Sequence, residues 1–149
     1  MSRYLLFDLD GTLTESGEGI IRSVQYALEK MGKPETDVQK LRSFIGPPLI
    51  PQFMSFSGMT REEAGQAVQF YRERYSTTGV FENRPYPGIP EMLQTLTDRG
   101  YVLSVASSKP EHYVRQILEH FGLTPFFHGL WEQPWMKSGL KRQMLLRKH

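Results

Sequence analysis

Apolar and polar positions along the chain sort into two kinds of period. Arg3–Phe7 (RYLLF) is a short apolar run that stops abruptly at Asp8, Leu9, Asp10 and Gly11, the pattern of a buried strand feeding a loop. From Ser16 onward, Ile20, Ile21, Val24, Ala27, Leu28 and Met31 recur at helical spacing, with Gly32 placed as a stop. FIGPPLIPQF (44–53) is punctuated by glycine and prolines and predicts a turn or loop between helices. A second helix follows, with Thr60 and Glu63 as a capping box and Ala64, Ala67, Val68, Tyr71 and Tyr75 on one face. NRPYPGIP (83–90) predicts a linker into a helix through Met92, Leu93 and Leu96, closed by Gly100. Tyr101 to about Ser107 predicts a second strand. Ser108 and Glu111 are expected to cap a last helix with Val114, Ile117, Leu118 and Phe121 facing inward and Gly122 ending it.

The order strand, helical block, helix, strand, helix predicts an α/β fold whose first crossover carries a helical insertion. At 149 residues, with 39% hydrophobic and 23% charged positions, the chain is expected to form one domain, or one domain bearing a small insertion. It has no apolar run of the roughly 18 residues a membrane span needs, and no long apolar leader. Cysteine is absent, which fits a reducing cytoplasm. Of 18 basic residues, five fall in 131–149 (Lys137, Lys141, Arg142, Arg147, Lys148), against the single acid Glu132. The remaining 13 face 15 acids in 1–130, a balance that gives no hint of nucleic-acid binding.

The chemistry concentrates at the two strand ends. In open parallel sheets ligands bind beyond the carboxyl ends of the strands. If the two strands are neighbours, Asp8 and Asp10 share a pocket with Ser107, Ser108 and Lys109. Backbone N–H groups at the start of the following helix favour an anion there. An anion beside a carboxylate and a lysine suggests a phosphate, with a cation bridging the like charges. Plainer readings stand beside this one: Asp8 and Asp10 as turn and capping acids, Ser107 as a strand-end serine, and Lys109 as a solvated first-turn lysine. His112, His120 and His128 show no metal-ligand spacing.

FDLDGTLT (7–14) resembles the first motif, DxDGT, of the haloacid dehalogenase-like (HAD) phosphohydrolases, and VASSKP (105–110) resembles their second. FIGPPL, RPYPGI and the SKP turn are similar to the phosphoglycolate phosphatase-like branch. The resemblance covers nearly all of residues 3–130. It implies a doubly wound, Rossmann-like parallel core made of 1–14 and 84–130, with a helical cap over 15–83 that closes on the site. It implies Asp8 as nucleophile forming an aspartyl-phosphate, and Asp10 as the acid and then base. It also implies Mg²⁺ on the Asp8 carboxylate and the Asp10 backbone carbonyl, and Gly11, Thr12, Ser107, Ser108 and Lys109 around the phosphate. The expected partner is a small phosphorylated metabolite; a cytoplasmic monomer is expected, with no nucleic acid and no membrane. The alternatives are a phosphomutase of the same superfamily and an inactive remnant.

Residues 131–149 depart from the family's pattern, which supplies a further lysine and an acidic pair after the second strand. The core is therefore expected to be incomplete at its C-terminus, with activity severely weakened. Trp135-Met136-Lys137 must be encoded tgg-atg-aaR, and read two nucleotides later this gives Asp-Glu. The tail is accordingly expected to be truncated or out of frame, with a genuine basic helix as the alternative.

Overall fold

The computed structural model describes residues 3–132 and 143–145. The chain runs along β1 (Arg3–Phe7), then β2 (Thr14–Glu15), into α1 (Gly17–Lys30), α2 (Val38–Leu41), α3 (Leu49–Ser57) and α4 (Arg61–Tyr75). It continues through β3 (Arg84–Pro85), α5 (Ile89–Asp98), β4 (Tyr101–Ser107), α6 (Glu111–His120), β5 (Phe127–Glu132) and β6 (Gln143–Leu145). Two compact units result: residues up to Glu15 together with those from Arg84 onward, and Ser16–Asn83. No helix among the described residues is long and apolar enough to cross a membrane.

The first unit is an α/β core. β4 lies between β1 and β5, parallel to both, and β6 runs antiparallel along the far side of β5. β4 is buried from Leu103 to Ser107, as a strand enclosed in a parallel sheet must be. Leu103, Val105, Phe127 and Leu130 of the sheet are buried, as are Leu93 of α5 and Val114, Ile117 and Leu118 of α6. Phe7 meets Phe127 edge-on, with ring centroids 6.3 Å apart. β2 and β3 form a separate two-residue antiparallel pair, reinforced by the Arg84–Glu15 ion pair at 2.9 Å.

The second unit is helical. α1 and α4 bury the stripes Ile20, Ile21, Val24, Ala27, Leu28 and Ala64, Ala67, Val68, Tyr71, Tyr75. α4 opens on the capping box, Glu63 N–H donating to Thr60 Oγ1 at 3.1 Å and Thr60 N–H to Glu63 Oε1 at 2.9 Å. Phe44 gathers Phe53 and Phe56 at 4.9 and 5.3 Å between centroids. The Arg74 guanidinium donates to both oxygens of Glu82, at 2.8 and 3.1 Å, and holds that carboxyl below its ordinary range. Where α1 passes the turn at Gly79, the backbones touch. A Cβ on Gly19 would stand 1.9 Å from the Gly79 carbonyl oxygen, and one on Gly79 would stand 2.6 Å from Ser23 Oγ.

Four local expectations are corrected. The stretch 44–53 is not all loop: α3 begins at Leu49 and holds Pro51 in its first turn, where the missing N–H has no intrahelical partner to lose. Ser108 does not cap α6, whose N-cap is Pro110 and which has no side-chain cap. Among the three predicted inward positions of α5 only Leu93 is buried, Met92 being 36% exposed, and Phe121 is half-buried at the edge of α6. A tail boundary at residue 131 cuts β5, and Gln143–Leu145 is a strand rather than helix, because the edge of β5 accepts an antiparallel partner. The codon argument concerns Trp135, Met136 and Lys137, which lie outside the described residues, as do Lys141, Arg142, Arg147 and Lys148.

The glycine contact makes a paired prediction. Gly19→Ala should destabilise the protein by about 1–3 kcal/mol, because backbone must shift to admit the methyl. Gly65→Ala in α4, where a Cβ meets nothing within 4 Å, should instead stabilise by up to about 1 kcal/mol. Urea denaturation of both variants measures the two signs.

Candidate functional site

Parallel pairing sets the site. β1 and β4 run in register with Phe7 opposite Val105, so Asp8 and Ser107 both fall at the carboxyl end of the sheet. The chain leaving β1 is folded tightly by one acceptor: the Leu9 carbonyl receives the N–H groups of Thr12, Leu13 and Thr14 at 3.0–3.2 Å. Gly11 closes the turn with φ +79°, a value that side chains disfavour, and donates its N–H to the Thr14 carbonyl at 2.9 Å. Leu9 and Leu13 are fully buried and anchor the loop.

Asp8 is half-buried and its Oδ1 accepts the Leu9 N–H at 2.9 Å. Burial pushes its carboxyl above the ordinary value of 3.8; the Leu9 hydrogen bond opposes this and the neighbouring Asp10 charge adds to it. Asp10 is buried deeper. Its Oδ2 lies 3.3 Å from Lys109 Nζ, both side chains being 7% exposed. Its Oδ1 is buried with no hydrogen-bond partner among the described residues, and so is the hydroxyl of Thr14, whose backbone bridges to Asp10. Ser107 is buried, and its Oγ accepts the Lys109 N–H at 3.1 Å. Ser107 and Lys109 also line a small hollow with Val105, Glu111, Val114, Leu130 and Trp131.

Of the residues singled out from sequence, Asp10, Lys109 and Ser107 are thus linked by direct contacts, and Asp8 stands two residues from Asp10 on the same strand end. Gly11 shapes the turn, Thr12 is exposed on it, and Ser108 is half-buried with bonds of its own. Lys109 is not a solvated first-turn lysine. It is the buried counter-charge of Asp10. Glu111, expected to cap with Ser108, pairs with Arg115 one turn along. Thr14 carries no mark in the sequence, because a threonine after a loop looks like any strand start; only its burial, with no hydrogen-bond partner for its hydroxyl among the described residues, sets it apart.

The donor set is compatible with a hard divalent cation. Asp8 and Asp10 offer only oxygens, one of them orphaned, and Mg²⁺ is commonly held by one or two carboxylates together with waters and substrate phosphate. Among the described residues no group of three or more acidic or histidine side chains is assembled to hold a metal by itself.

Comparison with known proteins gives the site its context. The haloacid dehalogenase-like hydrolase family matches residues 5–138. A 5'-nucleotidase of Pseudomonas aeruginosa is 49% identical over 127 residues, 85% of this chain and 58% of that protein. A phosphoglycolate phosphatase of Haemophilus influenzae is 32% identical over 130 residues, again 58% of its length. The crystal structure of a predicted phosphatase from Clostridium acetobutylicum superposes with a TM-score of 0.85 at 45% identity, covering 87% of this chain and 60% of that one. The chain therefore spans somewhat under two thirds of these relatives. The family match takes in both strand ends and the loop that carries Asp8 and Asp10, and this chain belongs to the haloacid dehalogenase-like hydrolases.

Proposed function

We propose that the chain carries the reacting end of a Mg²⁺-dependent phosphatase for small phosphomonoesters. The observation that carries this reading is the buried Asp10–Lys109 pair set beside Asp8 and Ser107 at one sheet end. In this reading an Asp8 oxygen attacks phosphorus while the ester P–O bond breaks, and the departing alkoxide takes a proton from Asp10. Water then attacks the phosphorus of the aspartyl-phosphate, giving its proton to Asp10, and phosphate and the free Asp8 carboxylate result. Mg²⁺, when bound, would be held by the Asp8 carboxylate and the Asp10 backbone carbonyl, and would offset the repulsion between carboxylate and phosphate. Ser107 would hydrogen-bond a phosphate oxygen. Lys109 would share its charge with the arriving phosphate and so loosen its hold on Asp10, which has to carry a proton to act as an acid. The 5'-nucleotidase and phosphoglycolate phosphatase relatives support a nucleoside monophosphate or a short phosphorylated acid as substrate class.

A second reading, an inactive remnant, is favoured by one observation: the described residues supply no third metal-holding acid at the site. Phosphoryl transfer rests chiefly on electrostatic stabilisation, and a sparse ligand set takes much of it away. Release of phosphate from p-nitrophenyl phosphate, a nucleoside 5'-monophosphate and phosphoglycolate, with and without Mg²⁺, separates the two. Turnover that needs Mg²⁺ and falls more than about a thousandfold in Asp8→Asn supports the enzyme. Flat traces for both proteins support the remnant.

The raised pKa of Asp8 makes the same variant informative about stability. A carboxyl that holds its proton more tightly folded than unfolded stabilises the fold only while protonated, so stability falls as pH rises through the raised value. At neutral pH the ionised Asp8 is therefore a cost. Asp8→Asn, whose side-chain oxygen can still accept the Leu9 N–H, should melt at a higher temperature than the native chain at pH 7. The gain should fade below the ordinary value of 3.8. Scanning calorimetry against pH reads this, and a lower melting temperature at pH 7 would make Asp8 a structural acid.

A further inference from the structure

The loop that leaves β1 holds two buried polar atoms with nothing to bond among the described residues, Asp10 Oδ1 and the hydroxyl of Thr14. They belong to residues that face each other. Thr14 donates its N–H to the Leu9 carbonyl at 3.2 Å and accepts the Gly11 N–H at 2.9 Å, and those two peptide groups flank Asp10. This is the pattern of a parallel bridge, and it sets Thr14 directly opposite Asp10. Residues opposite one another share a face, with Cβ atoms about 5 Å apart. Thr14 is fully buried and the Asp10 side chain is 7% exposed. A carboxylate oxygen accepts and a hydroxyl donates, so each atom is what the other lacks. Left unmet out of water, each carries the full cost of its desolvation. The other oxygen of Asp10, Oδ2, has Lys109 Nζ at 3.3 Å. Oδ1 is the end of the carboxylate that nothing holds among the described residues.

We propose that Thr14 is a positioning residue for Asp10. Its hydroxyl donates to Asp10 Oδ1, reached by rotation about the Thr14 Cα–Cβ bond, which exchanges hydroxyl and methyl between staggered positions. The carboxylate is then held at both ends, Oδ2 by Lys109 and Oδ1 by Thr14, and its plane is fixed. The two holds differ in kind. Lys109 reaches in from beyond β4, whereas Thr14 lies at the start of β2, four residues along the same loop as Asp10. In the proposed phosphatase reading an arriving phosphate draws on Lys109, and Thr14 is what then keeps Oδ2 turned toward the reacting atoms. That consequence rests on the phosphatase reading; the hydrogen bond itself does not. Oδ1 keeps a second lone pair, so the bond does not close the site to other ligands. A valine would suit a buried strand start as well as threonine does, so the hydroxyl is the part of Thr14 that packing leaves unexplained.

The test compares Thr14→Val, which keeps the shape and loses the hydroxyl, with Thr14→Ser, which keeps the hydroxyl, both in the full chain. Thermal unfolding at pH 7 is followed for Thr14→Val in the native background and in an Asp10→Ala background. A fall in melting temperature of at least about 3 °C is expected in the first and none in the second. The side-chain carboxyl carbon of Asp10, followed by carbon-13 NMR at the same pH, should shift in Thr14→Val and stay in place in Thr14→Ser. Lost packing alone would not produce that contrast. The proposal is overturned if Thr14→Val leaves the melting temperature unchanged or raises it, as removal of an unbonded buried hydroxyl would. It is equally overturned if the fall is the same without Asp10, or if the carbon resonance is unmoved by valine or moved as far by serine. Should Thr14→Val not fold, the native chain decides: scalar coupling between the Thr14 hydroxyl proton and the Asp10 carboxyl carbon upholds the bond, and its absence overturns it. None of these readouts needs turnover, so an inactive chain would defeat the phosphatase reading and leave this one standing.

Discussion

A buried ion pair joins the two ends of the site. Lys109, just past β4, reaches Asp10, on the loop that leaves β1, and both side chains are almost out of water. Two carboxylates two residues apart at the end of a buried strand would repel each other and resent desolvation. Burial alone already lifts the Asp8 carboxyl. Lys109 opposite Asp10 offsets that cost for one of the two, and removing one partner of such a pair strands the other charge. The pair exists only because β1 and β4 are parallel and in register, which puts the exits of both strands at the same end. Everything else at the site is arranged around that constraint: the turn gathered on the Leu9 carbonyl, the positive φ of Gly11, and the Lys109 amide bonded to Ser107.

The helical unit is held by a different device. Its α1 approaches the turn at Gly79 so closely that neither glycine can carry a side chain without displacing its neighbour. Around that contact the apolar stripes of α1 and α4 bury, and Arg74 with Glu82 closes a bidentate pair beside it. The unit thus has a core of its own, separate from the sheet.

The elements legible in the sequence were those whose signal is local. RYLLF ending in acid and glycine, the stripe from Ile20 to Leu28, the Thr60–Glu63 box and the run from Tyr101 to Ser107 each mark an element within a few residues of its observed bounds. The signals that misled were local too, and were overridden. Ser108 and Glu111 have the spacing of a cap, yet Pro110 takes the N-cap position and Glu111 turns to Arg115. Proline at 51 looked like a helix breaker and sits where a helix can spare the N–H. RYLLF looked like an interior strand, and its exposed Tyr4 and Leu6 show that apolar composition does not by itself say which faces are covered.

The amino-acid sequence alone determined the α/β character of the chain, the family it resembles and the positions of its two strand-end motifs, because hydrophobic period and turn chemistry act over a few residues. Tertiary structure alone decided that Lys109 is the counter-charge of Asp10 and that, among the described residues, the Thr14 hydroxyl is buried without a partner and β1 has one open edge. Those facts depend on strand order and register, which bring together residues about a hundred positions apart, and no local pattern encodes a distance of that kind.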